Sequence, residues 1–455
     1  MTENLGDLFC PLEFRYGRPE VRAIFSREHR LRRALRVEAA LAESEAELGI
    51  IPVEAARAVA EAAAGTGVTL AEVDRLESEV RHDVMAIVRA LAAQSGIGGR
   101  WVHYGATSAD ITDTALALEL QDAVRILRDD LTELCRILTD LAHTYRDTPE
   151  VGRTHGQHAV PISFGYKMAV SAAEVLRHRK RLDELSGRLC AGKMAGAVGT
   201  GAGFGPKSAE IESAVMRRLG IRADEAPTQI VGRDRIAEFT NWLALVAGTA
   251  ERLATEVRNL QRSEIAEVQE PFDERRQVGS STMAQKRNPM VSENVTSLAR
   301  LVRAFALPPL ENMAQWHERD LANSANERIV LPHSIVLADD MLRKLVEVHS
   351  GLKVDSERMA ANLGLTGGGV MVENLMLALT ARGVPRSEAH EFLRTFSRDA
   401  KTGEPLTARA KSDPVLRKHF SDAELEQLLD PVAYVHAAAV KTDRVVDSLR
   451  RELAA

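Results

Sequence analysis

VRILRDDLTELCRILTDL, residues 124–141, is the stretch on which the fold class turns. Its apolar residues fall at Val124, Leu127, Leu131, Leu134, Leu138 and Leu141, a 3-4-3-4-3 spacing. Such spacing lines one side of a long helix with apolar side chains and suits near-parallel packing in a bundle. FTNWLALVAGTAERLATEVRNL, residues 239–260, repeats the pattern at Phe239, Leu243, Val246, Ala250, Leu253, Val257 and Leu260. A helix of about 25 residues is roughly 37 Å long, so these stripes have room to pack within the chain and in part against another subunit. Between them, Met168–Leu189 is helical in composition, with no proline and one late glycine. Further helices are expected over Pro289–Phe305 and Ser334–Val348. Toward the N-terminus one helix should span about Pro19–Leu48, stopped by Gly49 and Pro52, with another near Glu54–Ala64. Beyond Gly351, short helices are punctuated by Gly364, Gly367–Gly369 and Pro385. The expectation is an all-α protein: a long central helical bundle over 111–351, flanked by smaller helical domains at 1–110 and 352–455.

Composition agrees. The 455 residues suffice for two to four domains and a substantial core. Aromatic residues are only 4% of the chain, whereas strands favour aromatic and β-branched side chains. A net charge of −6 argues against a nucleic-acid partner or an anionic membrane surface. Cys10, Cys135 and Cys190 are odd in number and widely spaced, which disfavours a disulfide framework and suits a reducing compartment. The opening MTENLGDLFCPLEF lacks the basic and apolar runs of a secretory segment, and no run of 18 apolar residues predicts a membrane span. A cytoplasmic location is expected.

Four polar loops interrupt the helices: HYGATSAD (103–110), GRTHGQHAVP (152–161), VGSSTMAQKRNP (278–289) and WHERDLANSANER (316–328). In the third, Asn288–Pro289 reads as a helix start. Its free N–H groups, beside Lys286 and Arg287, would attract an anion. From the residues alone, 279–289 is either a carboxylate- or phosphate-binding lid with a serine nucleophile or base, or a plain capped surface loop. His155 and His158 have no third ligand in a zinc pattern nearby. His155 suits acid–base work near neutrality as well as a structural role. The run Gly199–Gly205 imitates a dinucleotide fingerprint but has Phe204 where the last glycine belongs, so it reads as a loop. Arg319 and Arg328, with Ser324 between them, form either a phosphate grip or a solvated charged face.

Seven segments, in order, resemble the fumarase/aspartase superfamily and, within it, the adenylosuccinate lyases. They are FRYGRPEVRAIF (14–25), EVRHDVMAIVRAL (79–91), HYGATSADITDTA (103–115), GRTHGQHAVPISFG (152–165), TQIVGRD (228–234), GSSTMAQKRNP (279–289) and WHERDLANSANERIVLP (316–332). The resemblance implies β-elimination of fumarate from an N-succinyl compound. Ser280 would be the general base and His155 the general acid, with Glu293 holding the imidazole. Lys286, Thr107, Ser108, Thr154, Ser281 and Asn288 would grip the succinyl carboxylates. Arg15, Tyr16, Arg319, Ser324 and Arg328 would hold a nucleotide phosphate. Arg81, His82, Asp83, His103, Gln229 and Asn294 would line the rest of the pocket. No metal, nucleotide cofactor or prosthetic group is implied. The partners are a small succinyl substrate and three further copies of the chain, in a homotetramer with shared active sites. Two positions depart from the family pattern: Ala284 stands where the loop has Pro, and Gly232 where a Gln precedes Arg-Asp. They leave open a relative acting on another succinyl adduct, with a small amine or hydrazine as leaving group. His155 argues against the cycloisomerases, which typically lack it. The phosphate set argues against argininosuccinate lyase, and retention of Ser280, His155, Lys286 and Glu293 argues against an inactive scaffold.

Overall fold

The computed structural model describes residues 9–399 and 405–454. Pro19 opens α1 (Pro19–Ile24), and α2 (Arg27–Glu47) follows. The single helix expected over Pro19–Leu48 therefore breaks at Phe25–Ser26. Ser26 is extended, and its hydroxyl accepts from the His29 amide at 3.2 Å, capping α2. The end of α2 is as expected, with Gly49 at φ +71° just beyond it. Next come α3 (Val53–Ala64), α4 (Leu70–Val80), α5 (Asp83–Gln94) and the 37-residue α6 (Ser108–Thr144). Val124, Leu127, Leu131, Leu134 and Leu138 are all buried along α6.

The segment expected as a loop at 152–161 is a hairpin, β1 (Pro149–Thr154) paired antiparallel with β2 (Gln157–Ser163). His155 and Gly156 form its two-residue turn, both at positive φ (54° and 74°), the signature of a type I′ turn. The sequence signal was an x-Gly pair between short extended runs, with His in the place usually taken by Asn or Asp. Then follow α7 (Phe164–Leu189), β3 (Ala191–Gly192), α8 (Ser208–Leu219), β4 (Arg222–Ala223) and α9 (Asp234–Leu260). Every residue of the second stripe, Phe239 to Leu260, is buried. After β5 (Val268–Gln269) come α10 (Met290–Ala304), α11 (Leu307–Glu311) and α12 (Ser324–Ser350). The last starts ten residues before the expected Ser334. Pro332 lies inside it and forfeits only the bond its amide would have made to the preceding turn.

The chain divides into two compact units: 1–130, 178–250 and 297–343 form the first, and 131–177, 251–296 and 344–455 the second. The core of the first includes Leu35, Val59 and Leu91, with a neighbouring cluster around Leu41, Leu118 and Val215. The core of the second is built largely from short C-terminal helices around Leu375, Leu393, Phe396 and Leu416. Among the described residues no single helix is long and apolar enough to cross a membrane.

Candidate active site

The second unit carries the serine loop. A Cβ on Gly279 would lie 2.0 Å from the Lys286 carbonyl oxygen, so the two arms of the loop meet backbone to backbone and only glycine fits. The Asn288 amide donates to the Gly279 carbonyl at 3.0 Å and closes the loop. Inside it, the Ser280 hydroxyl oxygen accepts from the backbone N–H of Met283 at 3.1 Å and of Thr282 at 3.3 Å. Two amides aimed at one oxygen favour its deprotonated form. Ser281, Lys286 and Arg287 are exposed around it. Arg287 pairs with Glu274 at 3.1 Å, while the Lys286 ammonium makes no ion pair among the described residues.

One expectation about this loop is corrected. The helix starts at Met290, one residue later than expected, and its first amides are already taken. The buried Glu270 carboxylate accepts from Val291 N (3.0 Å), Ser292 N (3.1 Å) and Ser292 Oγ (2.8 Å). The positive end of α10 thus stabilises an internal carboxylate, and a substrate anion must be held by the loop's own donors and cations. Burial pushes the Glu270 carboxyl upward, against these three hydrogen bonds.

The hairpin presents Thr154 and His155 to solvent at its tip. Its stem is clamped by a bidentate pair from Arg153 to the buried Glu267, at 2.7 and 2.8 Å, and Asn362 donates to the same carboxylate at 2.7 Å. Lys167 bridges Glu150 and Glu256 at 2.7 and 2.6 Å, and burial lifts the Glu150 carboxyl to about 7. Glu293 is exposed on α10 and makes no hydrogen bond to His155 among the described residues of one chain, so the expected pair is not assembled there. Asn294 accepts from the Lys344 ammonium at 2.6 Å.

The first unit gathers the remaining candidates. Arg15 and Tyr16 precede Gly17, whose amide donates to Asp340 at 3.0 Å. A Cβ on Gly17 would strike the Val336 side chain at 2.3 Å, which ties this arm closely to α12. Arg18 then pairs with Asp130 at 2.7 Å and with Asp339. Arg81, His82 and Asp83 form the joint between α4 and α5. Arg81 is left-handed (φ 56°), the His82 ring accepts from the Met85 amide, and Asp83 opens α5. Arg328 on α12 donates to Asp83 at 2.9 Å, joining two of the predicted segments. Ser324 opens the same helix.

His103 is held by Glu38 through both its ring and its backbone. Thr107 and Ser108 begin α6, with the Thr107 amide donating to Asp110 at 2.8 Å. Asp110 also accepts from Ala195 N at 2.9 Å and pairs with the fully buried Lys193. This fastens the glycine-rich segment against the 103–108 turn, where a Cβ on Gly105 would lie 2.6 Å from the Phe204 ring. Of the glycines that imitate a nucleotide fingerprint, Gly203 approaches this turn, a Cβ there lying 3.2 Å from the Gly105 carbonyl oxygen, while Gly199 lies against the Pro227 carbonyl. Gln229 donates through its side chain to the Ala197 carbonyl (2.8 Å) and through its backbone to the Glu318 carbonyl (3.2 Å), linking the TQ segment to the 316–328 loop. A Cβ on Gly232 would meet only the Asp234 carboxylate, at 2.7 Å.

Arg319 is half-buried with no ion pair among the described residues. Burial lowers its affinity for a proton, and the nearby Arg233 adds to this. That makes it a cation short of an anion. Sequence reasoning missed the supports beneath these groups: Glu38, the Asp110–Lys193 pair, Glu267, Glu270, and Arg233 bound bidentately to Asp113 with Glu327 on its Nε at 2.9 Å. For Glu38, Asp110, Asp113 and Glu327 the sequence signal is an acid placed on a helix among apolar residues; Lys193, Arg233, Glu267 and Glu270 lie outside helices and carry no such signal. Among the described residues no group of three or more His, Cys, Asp or Glu side chains is placed to hold a metal ion.

The chain is similar to known proteins over nearly its whole length. A model of the lyase family matches residues 13–304, and a model of the adenylosuccinate lyase C-terminus matches 368–445. An adenylosuccinate lyase from Pyrococcus abyssi is 46% identical over 438 residues, 96% of this chain and 97% of that one. One from Methanothermobacter thermautotrophicus is 43% identical over 445 residues, 97% and 99%. Among solved structures, the 3-carboxy-cis,cis-muconate lactonizing enzyme of Pseudomonas putida superposes with a TM-score of 0.87 at 34% identity, covering 96% of this chain and 98% of that one. A fumarate lyase from Mesorhizobium sp. gives 0.87 at 31% identity, covering 95% and 98%. With relatives of that name matching over nearly their whole length and both family models in place, the chain belongs to the adenylosuccinate lyase family.

Proposed function

We propose that the protein is a carbon–nitrogen lyase that releases fumarate from succinyl-nucleotides. Adenylosuccinate yields AMP, and the succinylated aminoimidazole carboxamide nucleotide yields its free carboxamide. The observation that carries this reading is 46% identity to an adenylosuccinate lyase across 96% of the chain, with the serine loop, the His155 turn and the arginine segments all present. A leaving group other than a nucleotide is not favoured, because a small adduct gives the Arg15–Tyr16, Arg319 and Arg328 segments nothing to bind.

In the proposed reaction Ser280, as its alkoxide, removes a proton from the carbon next to a succinyl carboxylate. The two amides on its oxygen lower the cost of that alkoxide. The electron pair passes through the carboxylate, which becomes a dianion, and fixed donors with Lys286 stabilise the charge. It then returns to form the fumarate double bond as the carbon–nitrogen bond breaks, and His155 delivers a proton to the departing nitrogen. The phosphate, far from the reacting carbon, is a binding handle for the arginines.

The active species is a homotetramer with sites shared between subunits. His155 and Glu293 are both exposed and unjoined in one chain, and a second copy supplies the missing neighbour. Trp316 (80% exposed) and Leu321 (70%), with Leu307, Leu310, Met313 and Ile329, are large apolar side chains exposed within one stretch of the chain, of the kind a second copy covers. A cytoplasmic location fits three cysteines that form no disulfide. The test is to incubate purified protein with adenylosuccinate and follow fumarate release and the ultraviolet change of the purine. Absence of both refutes the reading.

A further inference from the structure

His103 sits in a turn that only neighbouring contacts can hold. Its φ is +64°, a left-handed conformation that costs a residue with a Cβ roughly 1 kcal/mol or more. Glu38, reaching across from α2, meets it twice. One carboxylate oxygen lies 2.7 Å from the ring Nδ1 and the other accepts from the His103 backbone N–H at 3.1 Å. The Glu38 side chain is essentially inaccessible, and among the described residues no other side chain competes for those oxygens. An acceptor-only carboxylate at Nδ1 forces the proton onto that nitrogen, so Nε2 is the ring atom left to act, and it has no partner among the described residues.

The charges around the ring are few. Asp110 on α6 faces it, but its charge is tied to the buried Lys193. Glu45, farther along α2, is buried with neither oxygen hydrogen-bonded, and it holds its proton to about 8 through burial and the neighbouring Glu38 charge. Glu38, with both carboxylate oxygens turned to His103, is the acid that acts most directly on the ring. Burial alone would discharge the ring, yet the hydrogen bond and charge of Glu38, joined by Asp110, outweigh it and raise its proton affinity above the ordinary value of 6.5.

We propose that Glu38 is a positioning residue that holds the His103 ring with its Nδ1–H turned inward, so that Nε2–H of the protonated ring is aimed at an anionic oxygen of the substrate. This rests on the reading of the 103–108 turn as part of the substrate site, and it adds the buried group that gives the turn its charge. The arrangement has the logic of a carboxylate–histidine dyad. The acid never meets substrate, and its removal is felt through the ring.

The test compares kcat/KM for adenylosuccinate from pH 6 to pH 9.5 in wild type, Glu38→Gln, Glu38→Asp, His103→Ala and the double variant Glu38→Gln/His103→Ala. Glu38→Gln should lose about tenfold or more, a coupling typical of contacting residues, and its alkaline limb should move to lower pH because the neutral amide no longer holds the ring charged. Glu38→Asp retains the charge with shorter reach, so its activity should fall while its limb stays near that of wild type. The double variant should match His103→Ala within about twofold, since Glu38 has no effect once the ring is gone. Additive losses, or an alkaline limb that does not move in Glu38→Gln, overturn the role of Glu38. If Glu38→Gln does not fold, a limb displaced in Glu38→Asp overturns it equally. Wild-type kinetics in His103→Ala remove His103 from the substrate site itself, a failure distinguishable from loss of the Glu38 effect alone.

Discussion

A serine hydroxyl takes a proton from carbon only where its own anion is stabilised, and for Ser280, the proposed base, two amides of its own loop donate to the oxygen. Ser280→Ala and His155→Ala should each lower kcat by about 10²–10⁴-fold while circular dichroism and substrate binding stay unchanged. A variant retaining more than about a tenth of wild-type turnover shows that the residue is not the acid or base. Arg328 is spent on an exposed pair with Asp83, and exposed pairs contribute little, so a phosphate can displace it. Arg328→Ala should therefore raise KM with little change in kcat and erase discrimination between phosphorylated and dephosphorylated substrate. Equal wild-type activity on both forms argues instead for a non-nucleotide substrate. Glu45 gives a pH signature. Its proton is held to about 8 in the fold by burial, against an ordinary 4.5. The folded state thus binds the extra proton between those values. The stability Glu45 contributes is complete below pH 4.5 and is lost as pH rises through 8. Melting temperature should fall across that window and fall less in Glu45→Gln; parallel curves for the two proteins refute this.

At the scale of elements, the serine loop depends on how its arms meet. Gly279→Ala would drive a Cβ into the Lys286 carbonyl. Displacing the loop by about 1 Å can cost about 100-fold in turnover, whereas global stability should hardly change because residues 281–287 are exposed. Turnover near wild type in Gly279→Ala shows that the loop does not need this closure. The long helices were legible in the sequence because one apolar stripe needs only one partner surface, whatever that surface is. The hairpin at 149–163 was not, since its turn uses His where hairpins favour Asn or Asp, and a polar Gly-containing run looks the same in a loop. The start of α10 was legible to within one residue. What its amides bind was not, because Glu270 arrives from a segment 21 positions away in sequence.

For the whole molecule, the decisive experiment is subunit complementation. Inactive Ser280→Ala and His155→Ala proteins, mixed under conditions of subunit exchange, should regain part of the activity, because hybrid sites receive an intact serine and an intact histidine from different chains. A single-chain mass with full activity, or no recovery despite demonstrated exchange, excludes shared sites. Polar substitution at Trp316 or Leu321 should weaken assembly, read by light scattering, since both are large apolar side chains left exposed in the single chain.

Sequence by itself determined the helical class, the long stripes, the polar segments proposed to carry the chemistry and, through their order and spelling, the family. Each of these is a property of residues near one another along the chain, where periodicity and turn chemistry act. Tertiary structure alone decided which buried groups support the candidate segments: Glu38 under His103, Glu267 under the hairpin, Glu270 under α10, and Lys193 with Asp110 under the glycine run. A buried charge must find a partner wherever folding places one. That partner is chosen by proximity in space, which no local pattern of residues records.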